Sequence, residues 1–165
     1  MKTYYLSPKS KSFYWITGSI VSIPILGIFF FLFRNSPLCY APYLVFILIG
    51  IYRTNYWLNN ESIKLTEKDI TYTTSGITIQ THWNDIEEIR RTFIYVFGSR
   101  QDCLVIDQSK VKITSTDLRG QFLSPLSAGW NLQKAIIPLS HFVENWRDSE
   151  LGGQIKQYAP HLFEK

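Results

Sequence analysis

The sequence predicts a membrane-anchored α+β protein: an N-terminal transmembrane helical hairpin, then an antiparallel β-barrel or sandwich that ends in an amphipathic helix. Three observations carry this reading. The apolar mass is concentrated in the first third of the 165 residues, where Arg34 and Arg53 are the only charges between Phe13 and Leu58. From Ile63 onward apolar residues recur with period two, the strand signal. After Ser149 the period returns to that of a helix.

The stretch Phe13 to Phe33 is 21 residues without a charge, about 31 Å of helix against a hydrocarbon core of roughly 30 Å. Pro24 can kink such a helix, and Tyr14 and Trp15 stand where an interfacial aromatic belt is expected. A cleaved signal peptide fits poorly, because the run ends in bulky FFFLFR with no A-x-A pattern. The second run, Leu38 to Tyr52, holds 15 residues, about 22 Å, and spans only if Arg53 snorkels and the helix continues through Trp57. Arg34, Asn35, Ser36 and Pro37 form the turn between spans 13–33 and 38–57. Lys2, Lys9 and Lys11 precede the first span, so the positive-inside bias places residues 1–12 and 59–165 in the cytoplasm. The expected layout is a cytoplasmic tail (1–12), a hairpin (13–58) in the cytoplasmic membrane as a multi-pass anchor, and a cytoplasmic domain (59–165).

Charge narrows the function classes. Residues 59–165 carry 12 Lys and Arg against 13 Asp and Glu, so the net charge of +4 comes entirely from the first third. A nucleic-acid binder is expected to carry its positive charge on the folded domain; this one is close to neutral, which argues against nucleic acid. The two cysteines, Cys39 and Cys103, would lie on opposite sides of a membrane, which excludes a disulfide, and neither sits at metal-ligand spacing.

Within the domain, Ile63 and Leu65, Ile70 and Tyr72, and Ile77, Ile79, Thr81 and Trp83 alternate with polar residues, with a Ser75-Gly76 turn among them. Ile89 to Phe97, Cys103 to Asp107, Lys110 to Thr114 and Ala135 to Leu139 read as further strands. A short helical turn is expected over Phe142 to Trp146. Ser149 then caps a helix in which Leu151, Ile155, Tyr158 and Leu162 make one apolar stripe, closed by Pro160. Gly152 and Gly153 weaken it by up to about 1 kcal/mol each.

Trp83, Asp85, Ile86 and Ile89 form a W-x-D-I-x-x-I element, preceded by Leu65, Thr66 and Ile70 as L-T-x-x-x-I and followed at the end of the chain by LGGQIKQYAPHLF. On these motifs the chain resembles small bacterial membrane proteins that join a two-helix hairpin to a bacterial pleckstrin-homology-like (PH-like) domain. The resemblance implies a PH-like antiparallel barrel or sandwich with a C-terminal helix. The match is poorest over Asp117 to Lys134, a polar insertion rich in Gly, Pro and Ser that reads as a loop.

The segment Thr81 to Arg91, THWNDIEEIRR, is the densest cluster of chemistry in the chain, and His82, Asp85, Glu87 and Glu88 could carry protons or a metal. No nucleophile, phosphate-loop or metal motif accompanies them, so the segment reads as a structural corner: Trp83, Ile86 and Ile89 buried, Asp85 capping, the other acids solvated. The first hairpin loop lacks the basic cradle of a phosphoinositide site. Arg119, Phe122, Trp130 and Lys134 of the insertion mix cations with aromatics, a composition suited to membrane or partner contact. The sequence thus predicts no catalytic residue, cofactor or metal. It predicts a non-enzymatic membrane protein presenting a PH-like scaffold to a protein partner or to the lipid bilayer; the alternative is an accessory subunit of a larger membrane complex assembled through its hairpin, with Gly18, Ser22 and Gly27 as packing positions.

Overall fold

The structure is a computed structural model that describes residues 1–33, 40–74, 76–94, 99–115 and 134–164, with side chains of some helical and strand positions left out. The chain runs β1 (Lys2–Tyr5), α1 (Pro8–Phe33), α2 (Tyr40–Asn60), β2 (Ser62–Leu65), β3 (Asp69–Thr74), β4 (Ile77–His82), β5 (Ile86–Ile94), β6 (Ser99–Asp107), β7 (Lys112–Ser115), β8 (Lys134–Pro138) and α3 (Glu150–Tyr158). All strand pairs are antiparallel, in one sheet ordered β1-β2-β3-β4-β7 and a second ordered β5-β6-β8.

Register in the first sheet follows from the apolar pattern. Tyr4, Ile63, Tyr72, Ile79 and Ile113 are successive cross-strand partners, so one rung of β-branched and aromatic side chains crosses all five strands on the core face. Gly76 turns β3 into β4 at φ 80°, a left-handed conformation that costs a glycine little. Against this face the second sheet sets Ile86, Leu104, Ile106, Ala135 and Ile137, and Leu139, Phe142, Trp146, Leu151, Ile155 and Leu162 complete one continuous core.

Two expectations are corrected here. The β layer is not a closed barrel: the chain leaves the first sheet at His82 through a turn of 3-10 helix, Trp83–Asp85, and enters a different sheet at Ile86. A barrel needs every edge paired, whereas among the described residues β1 and β7 are the edges of one sheet and β5 and β8 those of the other.

The second correction concerns the hairpin. Among the described residues no helix is long and apolar enough to cross a membrane. This overturns the transmembrane anchor, the multi-pass placement in the cytoplasmic membrane, the integral-membrane function with its membrane-complex alternative, and the resemblance to membrane-anchored PH-like proteins. The physical reason lies at the base of the helices. The first turns of α1 belong to the β body: Ser7 Oγ accepts the Ser10 N–H (3.2 Å), Ser10 Oγ donates to the His141 carbonyl (2.9 Å), Lys9 pairs with Glu144, and Tyr14 packs against the core. In α2 the apolar run stops at Arg53, and Asn55, Asn59 and Asn60 hydrogen-bond within the last turns. Tyr40 to Tyr52 leaves only about 20 Å of apolar helix, and a hairpin reaches no further than its shorter member.

The N-terminal segment is also more than a tail. β1 pairs with β2 from Lys2↔Leu65 to Tyr5↔Ser62, so the sheet takes strands from both sides of the helices. Tyr5 and Ser62 lie at the end of the ladder next to the helices, whose bases meet where Lys11 Nζ donates to Asn59 Oδ1 (2.8 Å). The result is a helical arm rooted in the sheet edge. The 34–37 turn, Cys39, Ser75, the strand end at 97–98 and the insertion residues 117–133 lie outside the described residues, as do the side chains of Gly18 and Ser22.

Candidate functional site

The corner is built by burial. Trp83 is 3 % exposed; its Nε1 donates to the Thr66 carbonyl (2.9 Å), its backbone N–H to the Lys68 carbonyl (3.3 Å), and its ring lies 5.6 Å from that of Tyr158. Ile86 pairs with Ile106 and Ile89 with Leu104, four residues on one strand facing three on the other, with the register shift between Ile86 and Glu88. That is a β-bulge, and it is why isoleucines at i and i+3 both face the core of a strand whose side chains otherwise alternate. β5 therefore begins inside the corner rather than at Ile89.

The acids of the corner face outward. His82 pairs with Asp69, its cross-strand partner, and Glu88 with Arg90; Asp85 ends the 3-10 turn, half-exposed. An open cleft of about 320 Å³ lies beside Trp83, lined by Glu67, Lys68, His82, Asn84 and Tyr158. Among the described residues no three His, Cys, Asp or Glu side chains converge on a metal position. Cys103 is buried, with Sγ 3.4 Å from the Gln101 carbonyl and its thiol pushed up to about 12 by burial and then by the Asp102 charge, which keeps it an unreactive thiol.

Of the partner-contact residues expected in the insertion, Arg119, Phe122 and Trp130 lie outside the described residues. Lys134 is described, at the start of β8. Its ammonium donates to both oxygens of Glu87 (2.6 and 2.7 Å) and lies 3.6 Å from Asp107, contacts that raise its pKa, Glu87 first. The bulge thus turns Glu87 toward Lys134, whose charge is directed at the body of the protein.

Sequence reasoning missed Glu61. It sits between α2 and β2 at 5 % exposure and accepts a hydrogen bond from the Tyr72 hydroxyl (2.8 Å). Burial pushes its carboxyl up to about 7, against the opposing hydrogen bonds from Tyr72 and Thr74. Burial also raises the phenols of Tyr72 and of Tyr14, the latter on α1, and the Glu61 charge raises both further. A protonatable carboxyl therefore stands where the helical arm meets the sheet. Its only sequence signal was an acid directly after a helix end and before a buried strand. His141 is a second buried titratable group near the root; desolvation lowers it to about 3.

The arm itself presents an extended run of exposed apolar side chains. Ile16, Ile20, Ile23, Ile25, Ile28, Phe30 and Phe31 of α1 and Leu44, Val45, Leu48, Ile49 and Ile51 of α2 are all exposed, Ile20 to 66 % and Phe31 to 70 %. No family model, no curated protein and no solved structure matches this chain.

Proposed function

We propose that this chain is a non-enzymatic docking module: a β body that holds out an apolar helical arm to be covered by a protein partner. The observation that carries the reading is the run of large hydrophobic side chains exposed on α1 and α2. Exposed apolar surface costs on the order of 25 cal/mol per Å² relative to burial, and a contiguous patch of this kind marks an interaction site. Two features favour a protein over a lipid bilayer. The lysines at the arm's base already have partners within the protein, Lys9 with Glu144 of the body and Lys11 with Asn59 of the neighbouring helix, rather than being committed to anionic headgroups. The polar last turns of α2 shorten its apolar run.

Placing a photo-crosslinking side chain at Ile28 and, separately, at Leu48 of the full chain in cells tests this. Both positions should yield an adduct with the same protein, and Ile28→Glu should abolish the Leu48 adduct while the near-UV spectrum of the β body stays unchanged. Adducts to lipid alone, or co-flotation of the purified chain with phosphatidylethanolamine/phosphatidylglycerol vesicles without any protein adduct, would overturn it.

A further inference from the structure

The core face of the second sheet changes character along its length. The first two rungs, Ile86↔Ile106 and Ile89↔Leu104, are apolar; the next two are Arg91↔Asp102 and Phe93↔Arg100. Because side chains two apart on a strand share a face, the backbones of Arg91 and Arg100 set both residues on this face as diagonal neighbours, just beyond the apolar core. The segment after β8 folds back over them. Leu139 N–H donates to the Asp102 carbonyl (3.0 Å), Trp146 Nε1 to Asp102 Oδ2 (3.1 Å), and Arg147 Nε lies 3.4 Å from the same oxygen with its guanidinium 5.3 Å from the Trp146 ring. Between sheet and segment lies an open cleft of about 290 Å³, lined by Arg91, Arg100, Asp102, Ser140, Asn145 and Arg147 among others.

The charges of this cleft do not cancel. Asp102 is held by Trp146 and Arg147, and Glu144 by Lys9. Among the described residues Arg91 and Arg100 make no ion pair, and the one acid of the lining left to oppose them is exposed Asp148. Two forked guanidiniums on adjacent strands, with a hydroxyl from Ser140 and an amide from Asn145 on the facing wall, offer more donors than a carboxylate can use; they suit a tetrahedral oxyanion. A cleft at the small end of ligand sites admits a phosphoryl group with a short appendage, not a large ligand. We propose that this cleft binds a phosphate monoester, with Arg91 and Arg100 as its anion-binding residues.

Calorimetric titration of the full chain with inorganic phosphate and with phosphoserine tests the assignment. Saturable binding is expected, weakened about tenfold or more by Arg91→Gln and by Arg100→Gln, as for loss of a charge-assisted hydrogen bond. Arg90→Gln is the charge-matched control: Arg90 lies on the opposite face, paired with Glu88, and its loss should leave binding unchanged. Tighter binding of phosphoserine than of phosphate places the appendage in the cleft. Equal loss in all three variants, which would mean only a net-charge effect, or no saturable binding of either probe, would overturn the proposal, as would tighter binding of succinate than of phosphoserine.

Discussion

The helical arm and the β body are made from the same apolar side chains and use them oppositely. In the body, Ile63, Leu65, Ile70, Leu104, Ile106 and Ile137 are withdrawn from water almost completely; in the arm, Ile20, Ile23, Ile28 and Phe31 stand in it. Hydrophobicity along the chain measures how much burial a segment seeks, not where it finds it. Period two lets a sheet present one face to another sheet and close a core. α1, in contrast, has its apolar residues on all sides, since Ile25, Phe30 and Phe31 point in widely different directions around a 3.6-residue turn.

The comparison breaks first at Trp83. Trp83→Ala should cost the body roughly 3 to 5 kcal/mol, because it empties a large buried site and removes the donor to Thr66. Ile28→Ala in the arm should stay within about 0.5 kcal/mol of the parent. Denaturant melts of the two variants followed by tryptophan fluorescence measure the contrast; comparable losses would mean that arm and body unfold as a single core.

The next effect is pH dependence at the root of the arm. The ordinary Glu61 value is 4.5 and burial raises it to about 7, so between those values the folded state holds a proton that the unfolded chain has released. Stability must fall as pH rises through this window, by on the order of 3 kcal/mol in total, and level off above it. His141 acts with the opposite sign: its ordinary value of 6.5 is lowered to about 3, so stability falls as pH drops from 6.5 toward 3. Between pH 6.5 and 7.5 the Glu61 effect outweighs that of His141. Glu61→Gln keeps an acceptor for Tyr72 and should remove the decline between pH 6.5 and 7.5 in urea melts; a slope unchanged by the substitution would show that another group carries it.

The C-terminal helix sharpens the same lesson at smaller scale. A Cβ on Gly152 would meet the Trp146 carbonyl oxygen at 2.3 Å and that of Arg147 at 2.5 Å, while one on Gly153 meets nothing within 4 Å. Gly152→Ala should therefore destabilise, by about 1 to 3 kcal/mol, and Gly153→Ala should stabilise by up to about 1 kcal/mol. Thermal melts that moved both in one direction would contradict the packing of α3 on Trp146. The smallest effect is expected at Glu87→Gln, which weakens a half-exposed pair with Lys134; the melting temperature should not move measurably.

Much of the body is legible in the order of its residues. Alternation at Ile63 to Trp83 marks β2, β3 and β4, Gly76 marks their turn, Ser149 marks the start of α3, whose Gly152 N–H it accepts at 3.4 Å, and Trp83-x-x-Ile86-x-x-Ile89 marks a corner. The sequence reads the next strand as starting at Ile89; only pairing to β6 brings Ile86 into it and places a bulge at Glu87. β1 is not legible, because Lys2 to Tyr5 has no strand partner nearer than Ser62. Of the candidate contact residues, Lys134 faces Glu87, a neighbour 47 positions away. The two glycines of α3 read alike in sequence and differ only in what packs against them.

The sequence by itself determined where most helices, strands and turns form, β1 and the first residues of β5 excepted, because period, capping and glycine act within a few residues. It also determined that the net positive charge belongs to the first third and not to the β body. Tertiary structure alone decided that the sheets do not close into a barrel, that β1 makes the arm an insertion within one sheet, that Glu61 is buried at its root, and that Arg91 and Arg100 share a cleft with Arg147. Each of these depends on a contact between residues far apart in the chain, and local pattern carries no record of such a contact until the core has formed.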